Sequence, residues 1–232
     1  TGSFVLVNTG EGLVRSTAGL LTTVAWQHPD GRREFALEGS VFVTGSAVQW
    51  LRDGLQIIDS ASESEDLALS VPDSGGVVFV PALTGLGAPD WDPHARGTIL
   101  GVTRGTTRAH LVRATLEAIA YEVRDVVDIM THESGVQLPR LAVDGGASAN
   151  NFLCQTQANQ LQVPVVRPAI LETTGLGAAF LAGLGTGVWS SQEELAATWR
   201  EDARFTPGAQ DAKGHRRWRT AVERSKGWAA LE

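Results

Sequence analysis

The sequence predicts an α/β domain built in layers of sheet and helix. Three observations carry that prediction. The first forty residues hold three short β-branched, apolar runs separated by turn residues. Residues 107–131 form one long amphipathic helical pattern. After Pro139, strand and helix patterns alternate, as they do when helices cover a sheet.

The elements follow in order. Residues 4–8, 20–27 and 33–37 read as strands, the last two joined by His28-Pro29-Asp30-Gly31. Proline presets φ in that turn and glycine accepts a positive φ. From about residue 40 the period changes: Val41, Val48, Leu51, Leu55 and Ile58 fall at helical spacing, predicting a helix over 40–58. Asp59-Ser60-Ala61-Ser62-Glu63 predicts the capped start of a second, short helix. Residues 77–80 and 97–102 read as strands on either side of a Gly/Pro-rich loop, 84–96. The 107–131 helix turns Leu111, Thr115, Ala118, Ile119, Val123, Val126 and Met130 to one face, and Gly135 ends it. Then come a strand at 141–143, a helix at 148–161, a strand at 163–166, a small-residue helix through Leu184 and a final helix over about 209–228. No linker or repeat interrupts the pattern, so residues 1–232 are expected to form one domain.

Composition narrows the function classes. With 43% hydrophobic and 19% charged residues, the chain reads as an ordinary globular protein. A net charge of −7 with scattered Lys and Arg argues against nucleic acid as a partner. The single cysteine, Cys154, permits no internal disulfide and suits a reducing, cytoplasmic setting. No apolar run reaches the roughly 18–20 residues of a membrane span. The chain opens on Thr1 without an initiator Met, which reads as an internal cut in a longer protein.

Two segments suit a ligand. Asp144-Gly145-Gly146-Ala147-Ser148-Ala149-Asn150 leaves a strand and opens a helix. Its glycines admit close backbone approach, helix-start amides favour an anion, and Asn150 offers either a ligand contact or a helix cap. Gly45 and Gln49 lie in Thr44-Gly45-Ser46-Ala47-Val48-Gln49, where the glycine serves either packing or ligand approach. Glu172-Thr173-Thr174-Gly175-Leu176-Gly177 mimics a dinucleotide fingerprint, but Phe180 stands at the third glycine position, so close helix packing is the better reading. The lysines, Lys213 and Lys226, follow no glycine-rich loop, so a Walker-type phosphate loop is absent. No Gly-x-Ser-x-Gly elbow occurs. Asp90, Asp92 and His94 cluster in the 84–96 loop, where turn formation explains them as well as chemistry does. Trp199, Trp218 and Trp228 are expected to pack in the core or at its edge; Trp91 sits in a loop of the kind that carries function.

Taken together, several stretches are familiar: Thr1-Gly2-Ser3-Phe4, Asn8-Thr9-Gly10, Ala36-Leu37-Glu38-Gly39, Gln49-Trp50-Leu51-Arg52-Asp53, Pro81 through Pro89, Gly97 through Ala118, and Asp144 through Phe152. Through them the chain resembles the C-terminal half of the FGGY carbohydrate-kinase family, and within it the members that phosphorylate glycerol. The resemblance implies an actin-like ATPase, ribonuclease-H-like fold: a mixed sheet flanked by helices. It implies binding of ATP, with Mg2+ carried by the nucleotide, and transfer of the γ-phosphoryl to glycerol. It places Thr1 at the phosphates, Gly45 and Gln49 along the nucleotide, Gly146 and Asn150 at the adenosine, and Phe4 against the carbon face of glycerol. The catalytic base and the first phosphate loop belong to the N-terminal domain of such enzymes, so no catalytic residue is expected here. That domain, and further copies of the enzyme, are the implied partners. A related polyol, or a non-catalytic nucleotide-binding module of the same fold, is the alternative. The chain departs from the family pattern at Asp90, where an aromatic residue is usual, and at Gly175, where alanine is.

Overall fold

In the computed structural model the described residues are 2–28 and 30–231, without the side chain of residue 231. Strand β1 (Ser3–Gly10) alternates buried Val5 and Val7 with exposed Phe4, Leu6 and Asn8, the period-2 pattern of a strand with one face on the core. It pairs antiparallel with β3 (Arg33–Val41), and β2 (Leu21–Gln27) pairs with β3 on the other side, giving the order β1-β3-β2. The central strand is accordingly the most buried of the three. The 28–32 turn closes through His28 N–H to the Arg32 carbonyl at 2.8 Å. The loop before β2 is held by Glu133, whose Oε1 accepts the Thr17 and Ala18 N–H groups at 2.7 and 3.0 Å.

Helix α1 (Gly45–Asp53) and helix α2 (Glu63–Leu69) follow. The helix expected over 40–58 is thus shorter at both ends. Ser40 and Val41 remain in β3, because backbone pairing with Phe4 and Ser3 continues through them. At the other end Gly54 caps the helix and Gln56 takes a left-handed φ of 55°, which no helix tolerates. The capping oxygen of α2 comes from Ser60, whose hydroxyl accepts the Glu63 N–H at 3.4 Å.

Strands β4 (Val78–Val80) and β5 (Thr98–Leu100) pair antiparallel across the 84–96 loop. Helix α3 (Arg108–Ser134) is the spine of the molecule. It starts where the Thr107 N–H donates to His110 Nδ1 at 3.1 Å, and ends at Gly135 in left-handed geometry (φ 68°). Val123, Val126, Val127 and Met130 pack against Val5, Val7, Leu37 and Val41 of the first sheet. Val112, Leu116 and Ile119 pack against α1 and α2, and Ala118 and Tyr121 against β4 and the C-terminal helix. At roughly 1.5–3 kcal/mol per buried large apolar side chain, this shared spine is the main source of cohesion.

The last third holds β6 (Leu141–Ala142), a 3-10 turn (Gly146–Ala149), α4 (Asn151–Leu161), β7 (Val165–Pro168), α5 (Thr173–Thr186), α6 (Gln192–Ala196), β8 (Glu201–Phe205) and α7 (Ala212–Ser225). β7 pairs parallel with β6 and antiparallel with β8, so the expected mixed sheet appears here, while the other strands form separate ladders. Helix α6 and strand β8 lie between the small-residue helix and the final helix, where the sequence pattern predicts no element. The cap of α6 carries a legible signal, since Ser191 Oγ accepts the Glu194 N–H at 3.3 Å in a Ser-x-x-Glu pattern. β8 has none, its residues Glu-Asp-Ala-Arg-Phe being too polar for a strand pattern. The tight packing expected of α5 is not found at its start: a side chain added at Gly175 or Gly177 would meet nothing within 4 Å, and only Gly183 is buried, under the Trp189 ring. Of the three tryptophans expected to pack, Trp218 is buried, whereas Trp199 and Trp228 are exposed.

Candidate nucleotide site

Two segments share a core cluster with the α3 spine, and a third lies on the outer face of the first sheet. At the first, Gly2 lets β1 pass against the carbonyls of Val41 and Phe42; a Cβ there would collide with both. The Ser3 and Thr44 hydroxyls then hydrogen-bond at 2.8 Å, fastening the start of β1 to the start of α1. Thr44 is the residue before the helix, so Gly45 is the first residue of α1 rather than an interior one. That placement removes most of the helix-propensity cost that an interior glycine carries. Gly45 and Gln49 lie one turn apart, on the side opposite buried Ala47, Val48 and Leu51; Gln49 is exposed.

The second segment is the glycine turn. Gly145 takes φ 73°, a left-handed conformation that favours glycine, and its N–H donates to the Leu171 carbonyl at 2.8 Å. Gly146 opens the 3-10 turn with open space where a side chain would stand. Asn150 ends it and caps α4: its Oδ1 accepts the Leu153 N–H at 2.9 Å and its Nδ2 donates to Ser64 Oγ at 3.1 Å. The cap alternative for Asn150 is therefore realised, and one Nδ2 hydrogen remains for another acceptor. Helix α2 is tied to this second segment again where Glu65 Oε2 accepts the Asn151 N–H at 2.7 Å. Beneath them Val48 and Leu51 of α1, Ala68 of α2 and Leu153 of α4 share one core cluster, with Ala147 packed against it.

The carboxyl of Asp144, just before the turn, is raised above its ordinary value by burial and by the charge of Glu172. An added negative charge there is disfavoured, so an anion is better placed at the helix-start amides than at this acid. Among the described residues no group of three His, Cys, Asp or Glu side chains could hold a metal ion.

The third segment carries Phe4, 69% exposed on the outer face of the first sheet. Phe4 pairs with Ser40, whose carbonyl accepts the Ala88 N–H at 2.9 Å, so the 84–96 loop lies against this edge. Thr1 lies outside the described residues.

The descriptor of the C-terminal domain of the FGGY carbohydrate kinases matches residues 1–186. The chain belongs to the FGGY family of carbohydrate kinases. Among its relatives in that family are glycerol kinase 2 of Thermotoga maritima, 58% identical over 98% of this chain, and a glycerol kinase of Symbiobacterium thermophilum, 60% identical over 99%. The chain spans about half the length of these relatives, 46% and 47%. A crystal structure of Plasmodium falciparum glycerol kinase with ADP superposes with a TM-score of 0.87 at 38% identity, over 97% of this chain and 45% of that one. A xylulose kinase from Lactobacillus acidophilus, 22% identical with a TM-score of 0.75 over the whole chain and 45% of its own, shows the same fold. The architecture is thus that of the FGGY sugar kinases, the actin-like, ribonuclease-H-like class. In this FGGY chain the C-terminal segment after residue 186, with α6, β8 and α7, lies beyond the matched domain. No helix among the described residues is long and apolar enough to cross a membrane.

Proposed function

We propose that this chain is the nucleotide-binding half of an ATP-dependent glycerol kinase. The parent enzyme transfers the γ-phosphoryl group of ATP to a terminal hydroxyl of glycerol, giving glycerol 3-phosphate. The observation that carries the reading is the likeness, over 97% of the chain, to a glycerol kinase crystallised with ADP. It is supported by the exposure of Gln49 and the open space at Gly146, which leave room for a ligand above one shared core cluster.

Phosphoryl transfer asks the protein chiefly for positioning and for neutralisation of charge. In this reading Gly45 and Gln49 line the nucleotide, Gly146 packs on the adenosine, and the spare Asn150 amide hydrogen donates to it. Thr1 meets the phosphates. Phe4 offers an apolar face to the glycerol carbons, which leaves the hydroxyls for polar groups of the other half. Mg2+ arrives on the phosphates and neutralises their charge. The base that takes the hydroxyl proton, and the first phosphate loop, come from the N-terminal half. The parent works in the cytoplasm as a homo-oligomer.

The test is direct. The full-length parent should bind ADP in calorimetry and phosphorylate glycerol, while this chain alone binds ADP weakly and turns over no glycerol. Turnover by the pure chain would refute the division of labour. Failure of the parent to phosphorylate any polyol, with ADP binding intact, would favour a non-catalytic nucleotide-binding module.

A further inference from the structure

The 84–96 loop reaches in two directions from adjacent residues. Trp91 has a left-handed φ of 46°, rare for a bulky side chain, and its N–H closes the turn onto the Gly87 carbonyl at 2.8 Å. Its indole N–H donates to the Gly19 carbonyl, and its ring meets Phe42 edge-on with centroids 5.9 Å apart. Phe42 follows two residues after Ser40, the partner of Phe4. Three exposed aromatic side chains, Phe4, Phe42 and Trp91, therefore gather along one edge of the first sheet.

Asp90 reaches toward the C-terminal helix. Its carboxylate, largely buried, meets Lys226 Nζ at 2.7 Å and Arg219 Nη1 at 3.1 Å. Arg219 is itself seated by Asp125 of α3 at 2.9 Å. Burial alone would raise the Asp90 pKa, but hydrogen bonds from Arg219 and Lys226 outweigh it and hold the carboxyl below its ordinary value, so it is charged at neutral pH. The same loop is tied again where Asp92 Oδ2 accepts the Gly227 N–H at 2.7 Å and where the His94 carbonyl accepts the Ala229 N–H at 2.8 Å. Leu86 and Ala95 share a core cluster with Trp218 and Val222 of α7.

We propose that Asp90, Arg219 and Lys226 form a latch by which the C-terminal helix holds the loop carrying Trp91, making them positioning residues for the polyol wall beside Phe4. The proposal rests on the glycerol-kinase reading above and deepens it. A residue held in left-handed geometry persists only where its surroundings over-determine it. The latch supplies that constraint from a segment outside the matched family domain. Asp90 acts through the loop backbone and need not touch substrate. An aromatic residue at this position, the usual one in the family, would leave Arg219 and Lys226 without it.

The experiment uses the full-length parent enzyme with Asp90→Asn and Lys226→Met, each close to the wild-type volume. Asp90→Asn is expected to raise KM for glycerol by about tenfold, with KM for ATP changed by less than about twofold. Amide exchange over residues 86–91 should speed up while exchange in α4 stays at the wild-type rate. Lys226→Met should shift both readouts the same way by less, and Asp90→Glu should recover part of the loss. Unchanged KM for glycerol overturns the positioning role even if loop exchange quickens. Equal rises in KM for glycerol and ATP overturn it too, because the effect would then be general. A wild-type parent inactive on every polyol removes the kinase reading and the proposal with it, an outcome seen before any variant is compared.

Discussion

Trp218 donates its indole N–H to the Asp125 carboxylate at 2.9 Å, joining the C-terminal helix to the middle of the α3 spine across 93 residues of chain. Asp125 also meets His215 Nε2 at 2.7 Å and Arg219 Nη1 at 2.9 Å. Asp125→Ala would leave the buried Trp218 indole N–H unpaired and take the carboxylate away from His215 and the one-third-exposed Arg219, at a cost of about 1–3 kcal/mol. Urea denaturation should show the loss as a lower midpoint. A midpoint equal to wild type would mean the network contributes nothing net.

Glu122 lies within the same region of α3, fully enclosed, and burial together with the charges of Asp125 and Asp90 pushes its carboxyl up to about 8. A raised folded pKa means the folded state holds the proton more tightly than the unfolded chain, whose value is about 4.5. The associated stability is therefore complete below about pH 4.5 and is lost as pH rises through about 8. Glu122→Gln should flatten that part of the pH profile and raise stability at pH 8–9 by on the order of a few kcal/mol. Thermal unfolding from pH 5 to 9 measures it; parallel profiles for the two proteins would contradict the assignment.

Asn150 separates a structural role from a ligand role. Asn150→Ala removes the α4 cap and the Ser64 contact together, at about 1–2 kcal/mol, or roughly 2–8 °C in Tm. Asn150→Asp keeps an oxygen for the cap and loses the amide donor. ADP affinity of the parent should therefore fall in both variants, whereas Tm falls mainly in the first. If Asn150→Asp binds ADP as tightly as wild type, the residue is a cap alone.

Gly146 gives the converse case. Its missing side chain faces open space and its φ is not left-handed, so Gly146→Ala should leave Tm within about 2 °C of wild type. A methyl group against the adenosine should nonetheless weaken ADP binding in the parent by about tenfold, some 1.4 kcal/mol. Calorimetry of the parent checks this, and unchanged affinity would place the nucleotide elsewhere.

Local chemistry was legible wherever a residue answers to its near neighbours. The left-handed Gly145, the helix stop at Gly135 and the alternation of Val5 and Val7 with Phe4 and Leu6 each follow from a few adjacent residues. Long-range context decides the positions where the local pattern points elsewhere. Ser40 and Val41 carry a helical apolar spacing, yet backbone pairing with β1 keeps them in the strand. Gly175 and Gly177 look like close-packing glycines, yet no neighbour approaches them among the described residues. β8 is a strand because β7 offers it an edge, although its own residues are mostly charged.

The sequence by itself determined the α/β class and the family likeness, because those depend on periodicity and on short motifs. Only the tertiary structure decided what Asp90 is for. Its partners Arg219 and Lys226 lie 129 and 136 residues further along the chain. No periodicity links such positions; burial in a shared crevice does, by making an unpaired carboxylate costly enough that the fold must bring cations to it.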